Sequence, residues 1–216
     1  MNSPKVTVVD FGAGNLFSIE RAVRYVGGQA EITDDPARVA AADRLILPGV
    51  GAFCRGMDEL EKRGLALAVC EFVRTGRPLL GICLGMQLFL GTSYEFGERC
   101  GLGLIDGNVV RFKDPTAGGL PFKVPQIGWN SIETPRVNGC YWNEPLLEDI
   151  DRGSFFYFVH SYICCPDDTG CIVAESVYGE DRFCAVVRKD NIWGCQFHPE
   201  RSGPKGLLVY RNFLNM

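Results

Sequence analysis

Cys83 stands between two glycines, in Gly81-Ile82-Cys83-Leu84-Gly85, where an apolar run (Pro78–Ile82) gives way to a helical pattern (Leu84–Leu90). The form G-x-C-x-G is the thiol counterpart of a nucleophile elbow, in which flanking glycines let a strand turn sharply into a helix and present the nucleophile at the turn. A sulfur at a helix N-terminus meets the positive end of the helix dipole, which favours the nucleophilic thiolate. The backbone N–H of Leu84 then points toward the place where a tetrahedral oxyanion forms. A cysteine in an apolar run is ordinarily a small core residue. The glycines and the change of period set this one apart.

A thiol nucleophile needs a base, and the chain has two histidines. His198 ends the run Ile192–Phe197 and opens His198-Pro199-Glu200. A carboxylate two residues on can hold the imidazole tautomer and stabilise the imidazolium, with Pro199 restricting the backbone between them. His160 ends another apolar run, FFYFVH, but the first carboxylate after it is Asp167. The pairing of base and orienting acid therefore selects His198. His160, with Ser161 and Tyr162, remains able to line the substrate pocket. A second oxyanion donor is expected near Val50, in the turn Pro48-Gly49-Val50-Gly51-Ala52-Phe53 that follows the run RLIL. That turn also reads as a plain tight turn or a phosphate cradle, but no Lys-Ser/Thr follows, which excludes a P-loop. Gly12-Ala13-Gly14-Asn15 is half a dinucleotide fingerprint, with Phe17 where the third glycine belongs, and a strand-to-helix turn is its simpler meaning.

The elements that must position these groups follow from the patterns around them. Lys5–Asp10, Ala30–Thr33, Arg44–Leu47 and Pro78–Ile82 read as strands. Between them lie a helix capped by Asn15 and stopped at Gly27–Gly28, and a long amphipathic helix over Met57–Arg74 with Gly64 as its weak point. Such alternation predicts a parallel sheet flanked by helices. In the second half, Leu104–Phe112, Phe122–Val124, Phe155–Val159, Cys171–Val177, Cys184–Val187 and Ile192–Gln196 are strand-like. Asp114–Leu120 reads as a mobile loop and Gly203–Asn215 as a closing helix. The expectation is one α/β domain over residues 1–216, with a mostly parallel central sheet flanked by helices and additional antiparallel strands in the second half.

Composition narrows the function classes. The chain has 216 residues, 46% hydrophobic and 22% charged, with a net charge of −4. No basic stripe suggests nucleic acid, and no apolar run reaches membrane-spanning length. The N-terminus lacks a secretion pattern, so a cytoplasmic setting is expected, with the ten cysteines, Cys140 among them, mostly reduced thiols. Without a CxxC and with two histidines, a structural zinc site is not expected.

PGVGAF, GICLGMQ and QFHPE together resemble the class I glutamine amidotransferases. More narrowly, VVDFGAGN, GICLGMQL with QFHPERSG, VPQIGWN and FYFVHSY resemble the glutaminase subunits of imidazole glycerol phosphate synthase, from near residue 6 to about residue 214. The resemblance implies a triad of Cys83, His198 and Glu200 and oxyanion donors at Val50 and Leu84. It implies glutamine-binding positions at Gln87 and Glu95, the latter suited to an α-ammonium; Gly51, Ser161 and Tyr162 are expected to complete the substrate site. It gathers Gln126, Trp129, Tyr157 and Lys189 on a face toward the partner, a (β/α)8-barrel cyclase that receives the ammonia in a heterodimer. No metal or organic cofactor is implied.

One position departs from the pattern. Gln126 stands where the family commonly has histidine, in P-H-x-G-W-N. This keeps open the alternative of a paralogous glutaminase subunit supplying another synthase, such as a sugar amidotransferase of cell-surface polysaccharide synthesis. A stand-alone cysteine hydrolase or peptidase is disfavoured by Gln87 and Glu95, and a non-catalytic binding subunit by the intact Cys, His and Glu.

Overall fold

The β-branched run KVTVV forms the first strand, and its alternating side chains enter two different cores. Val6 and Val8 face one side of the sheet and Val9 the other, the period-two arrangement of a strand covered on both faces. The computed structural model describes residues 3–136 and 142–216; Cys140 lies outside them. In chain order the strands are β1 (Lys5–Val9), β2 (Gln29–Thr33), β3 (Leu45–Leu47), β4 (Leu79–Ile82), β5 (Leu90–Ser93), β6 (Arg99–Cys100), β7 (Ile105–Arg111), β8 (Thr116–Ala117), β9 (Leu120–Pro121), β10 (Gln126–Ser131), β11 (Phe155–His160), β12 (Tyr162–Pro166), β13 (Ile172–Tyr178), β14 (Asp181–Lys189) and β15 (Ile192–Cys195). The helices are α1 (Leu16–Tyr25), α2 (Pro36–Ala41), α3 (Phe53–Lys62), α4 (Leu65–Arg74), α5 (Leu84–Gln87) and α6 (Gly203–Leu214).

The central sheet has seven strands in the order β13-β14-β15-β4-β3-β1-β2. Strands β15, β4, β3, β1 and β2 run parallel, and β14 and β13 join antiparallel at one edge. One face packs α1 and α6 through Ile19, Val23, Val209 and Phe213, and carries the two-stranded ribbon β10–β11. The other packs α2, α3 and α4 through Val39, Phe53, Leu60 and Phe72, together with the smaller sheet β12-β7-β5-β6. The architecture is the expected mixed α/β one.

Several local expectations are corrected. The stretch read as one helix over Met57–Arg74 begins earlier and is two, α3 and α4, broken at Gly64, whose φ of +71° is left-handed and reverses the chain direction cheaply only for glycine. Asn15 occupies the cap position of α1 without a side-chain hydrogen bond. The pattern Leu84–Leu90 yields only a four-residue helix before β5 begins. Phe122–Val124 is not a strand. The strand lies just beyond it, at β10, whose Gly128 and alternating polar residues hide the period from a hydrophobicity reading. Asp114–Leu120, read as a loop, carries β8 and the first residue of β9, which pair as a small hairpin.

Candidate active site

Strand β4 is central, so its C-terminal end opens into the crevice above the sheet, the usual ligand position in a parallel α/β fold. Cys83 follows it immediately, with φ 53° and ψ −108°, a backbone conformation rare for a residue with a Cβ. Such strain costs on the order of 1–3 kcal/mol and persists where the surroundings over-determine it. Here Cys83 N–H still bonds the Cys195 carbonyl at 2.8 Å, and its own carbonyl accepts from Gln87 N–H at 3.2 Å, so the turn is pinned from both sides. Gly85 makes the geometry possible: a Cβ there would lie 1.8 Å from the Leu47 carbonyl oxygen. The elbow is therefore pressed onto the end of β3, which places Cys83 beside the loop that follows β3.

A cavity of ≈ 240 Å³ opens at the sulfur, lined by Val50, Gly51, Cys83, Leu84, Gln87, Glu95, Pro125, Val159, His160, Ser161 and Tyr162. The oxyanion and substrate-binding positions expected from sequence thus share one wall system with the thiol. Glu95 presents a carboxylate there, anchored by the Phe53 N–H to its Oε2 at 2.6 Å. An ammonium group entering the cavity would meet this carboxylate. Gln87 is buried, with its Nε2 donating to the Tyr162 carbonyl at 3.0 Å and to Gln196 Oε1 at 3.1 Å.

His198 follows β15, the parallel neighbour of β4, so His198 and Cys83 sit at adjacent strand ends. Its Nδ1 is 2.8 Å from Glu200 Oε1, and both side chains are buried. Glu200 lies in the 3-10 turn Pro199–Arg201, where the buried Tyr210 hydroxyl, kept protonated by burial, donates to its Oε2 at 3.4 Å. Ser202 ties the turn down, donating to the His198 carbonyl at 2.6 Å and accepting from Tyr157 N–H at 2.9 Å. Burial works against a charge on His198, but the Cys83 sulfur and the Glu200 carboxylate outweigh it and hold the imidazolium up to about 10. Among the described residues His198 Nε2 has no hydrogen-bond partner.

His160 is the opposite case. It is 6% exposed, its ring packs among Phe112, Phe158 and Phe183, and burial pushes its basicity down to about 4. Its Nδ1 faces the Tyr162 carbonyl at 2.9 Å, which fixes the proton on that nitrogen. It lines the cavity as a neutral ring.

The expected partner-facing set is divided. Ribbon β10–β11 alternates: Ile127 (63% exposed), Trp129 (55%) and Phe155 (58%) face outward, while Phe156 and Phe158 face the core. Trp129 and Tyr157 are register partners with ring centroids 6.2 Å apart, and the Arg201 guanidinium lies 4.5 Å above the Tyr157 ring. Gln126, at 2% exposure, points inward beside His160 in the ribbon register, so strand alternation removes it from the outer face. Lys189 is also elsewhere. It pairs with Ile192, and Ile192 with Leu79, which puts it at the opposite end of β4 from Cys83, where it bonds Asp106 at 3.4 Å. The cation beside the aromatic pair is Arg201.

Sequence reasoning missed Gln196, Ser202, Tyr210 and Arg201. Gln196 is fully buried and donates from Nε2 to Cys83 Sγ at 3.6 Å. Its only signal was a polar side chain in the otherwise apolar Trp193–Phe197 run. Ser202 and Tyr210 had no signal, since their contacts depend on how the turn folds back onto β11 and α6.

Comparison with known proteins places this geometry. The model of the glutamine amidotransferase class-I family matches residues 7–216. The imidazole glycerol phosphate synthase subunit HisH of Syntrophotalea carbinolica is 45% identical over 212 residues, covering 98% of this chain and all of that protein. The subunit of the same name from Wolinella succinogenes is 43% identical, covering 96% of this chain and 98% of its own. In three dimensions the chain resembles PurLQS from Thermotoga maritima with a TM-score of 0.70 at 20% identity, over 99% of each chain, a likeness of fold alone.

Proposed function

The chain belongs to the class I glutamine amidotransferases, in the branch of the imidazole glycerol phosphate synthase subunits, and from that premise we propose that it hydrolyses glutamine and passes the ammonia to a cyclase of histidine biosynthesis. The observation that carries this reading is the Cys83 elbow, with the buried His198–Glu200 pair at the adjacent strand end and one cavity shared with Gln87 and Glu95. Residues 1–216 act as one glutaminase domain. In the proposed chemistry the Cys83 thiolate attacks the side-chain amide carbon, and the N–H groups of Leu84 and Val50 receive the oxyanion. The charged His198 gives its proton to the departing ammonia. The now neutral ring then takes a proton from water, whose oxygen attacks the thioester; glutamate leaves, its new carboxyl shedding the remaining proton, and the Cys83 thiolate beside the charged ring is restored. Glu200 holds the ring and supports its charge without taking the proton. Glu95 binds the α-ammonium, and Gly51, Gln87, Ser161 and Tyr162 line the rest of the substrate site.

The subunit works in the cytoplasm as one half of a heterodimer with a (β/α)8-barrel cyclase, docked over the exposed face of β10–β11. That face is continuous with the site, since Val159 lines the cavity and the Tyr157 carbonyl accepts from His198 N–H at 2.9 Å. Among the described residues no helix is long and apolar enough to cross a membrane. The alternative of a sugar-pathway paralog rested on Gln126, and an inward, buried Gln126 is a poor reporter of partner choice. Mixing the chain with the imidazole glycerol phosphate cyclase of the same organism tests the reading. Tight binding and glutamine-dependent product are expected. Failure to bind, with capture of a different barrel synthase, would overturn the choice of partner.

A further inference from the structure

The helix that follows Cys83 is only four residues long, so few aligned peptides are available to favour a thiolate through a dipole. A different device is present. The Tyr162 carbonyl can only accept, and it receives His160 Nδ1 at 2.9 Å and Gln87 Nε2 at 3.0 Å. That fixes the polarity of the Gln87 amide, whose Nε2 also reaches Gln196 Oε1 at 3.1 Å. Gln196 must therefore direct its NH2 the other way, and it does so toward Cys83 Sγ at 3.6 Å. Amide orientations are ordinarily ambiguous, but here a backbone carbonyl at one end settles both. Gln196 is fully buried, and no second arrangement keeps both bonds.

We propose that Gln196 is a positioning residue for the nucleophile: it donates a hydrogen bond to the Cys83 sulfur, with its polarity set through Gln87 by the Tyr162 carbonyl, and so favours the thiolate over the thiol. The competing contact is the Val159 carbonyl, 3.9 Å from Sγ, which accepts only from the protonated sulfur. The amide is the closer of the two, and a donor to a charged acceptor is worth more than a neutral pair. The line also joins substrate and nucleophile, because Gln87 is on the cavity wall. The titratable groups around Cys83 are His198, Glu95, His160 and Tyr162, with Glu200 behind His198 and the thiols of Cys164 and Cys195 nearby. All of them are retained when Gln196 alone is changed.

The functional consequence rests on the glutaminase reading; the effect on the sulfur does not. The test is the rate of iodoacetamide alkylation of Cys83 in the full chain, followed by mass spectrometry at pH 7 and pH 10. Gln196→Met removes the donor, and Gln196→Glu keeps the acceptor for Gln87 while replacing the donor. Both are expected to slow alkylation about tenfold at pH 7, with the rate at pH 10 within about twofold of the unchanged chain. With the cyclase present, kcat for glutamine should fall by a similar factor while KM stays within about twofold. Should both variants fail to fold, Gln87→Met tests the other end of the line and is expected to slow alkylation at pH 7 in the same direction. Unchanged alkylation at pH 7 in the folded variants, or a rise in KM with kcat intact, would overturn the proposal and leave Gln196 a support for the substrate wall. Glutamine hydrolysis by the unchanged chain is measured separately. Its absence alongside slowed alkylation would count against the glutaminase reading alone.

Discussion

Two buried histidines share this site and are displaced in opposite directions. His160 has no charge nearby to repay its burial and is pushed down to about 4, whereas Cys83 and Glu200 hold His198 up to about 10. For His160 the unfolded chain binds its proton first, near 6.5, so stability is present above that pH and is lost as pH falls through about 4. The loss should be on the order of 3 kcal/mol at most. Urea unfolding between pH 4 and 6.5 should show it, and His160→Asn should flatten that limb. For His198 the sign reverses: its contribution is present below 6.5 and is lost as pH rises through about 10. In activity the roles separate further. His198→Asn is expected to lower kcat by about a thousandfold or more, and Glu200→Gln by less. The finding of a severe His160→Asn lesion with a mild His198→Asn one would exchange the two assignments. Cys83, His198 and Glu200 were legible in the sequence because spacing alone brings the pair His-x-Glu together and glycines flank the thiol. Gln196 was not, because its role comes from where β15 lies beside β4, and that pairing spans more than a hundred residues.

The elbow is held by close backbone packing more than by its helix. Gly85→Ala would drive a Cβ into the Leu47 carbonyl, an obstruction that no side-chain rotation relieves. It is expected to cost roughly 3 kcal/mol and to displace Cys83, so that activity falls further than stability does. Circular dichroism melts alongside kcat would show both, and near wild-type values for each would mean the turn is not held as described. Strands β1, β3 and β4 were readable because they are short β-branched or leucine-rich runs covered on both faces. What failed was length. Gly64 breaks what looked like one helix by taking φ +71°, and periodicity has no access to backbone sign. The β10 strand was missed because its inward side carries Gln126, Gly128 and Asn130 in place of large hydrophobics.

At the level of the complete subunit, the chemistry and the proposed docking face lie at one end of the central sheet, with β11 serving both. Its inward residues pack the core, its Val159 lines the cavity, and its outer side, with Trp129 on β10, stays exposed. Trp129→Ala is expected to weaken cyclase binding about thirtyfold, as for a central aromatic anchor, with unchanged unfolding of the isolated chain. Lys189→Ala, at the far end, should leave binding unchanged; equal losses in both variants by calorimetric titration would show that the interface extends beyond the ribbon. The sequence did group Trp129 and Tyr157 correctly in space, since adjacent strands carried them, but Lys189 required knowing which end of β14 meets the site. The most direct measurement is of Cys83→Ser in the complex with its cyclase, supplied in turn with glutamine and with ammonium salt at alkaline pH. Loss of glutamine-dependent product with ammonia-dependent product retained is the expected result. Glutamine-dependent product at near wild-type rate would contradict the assignment of Cys83 as the nucleophile.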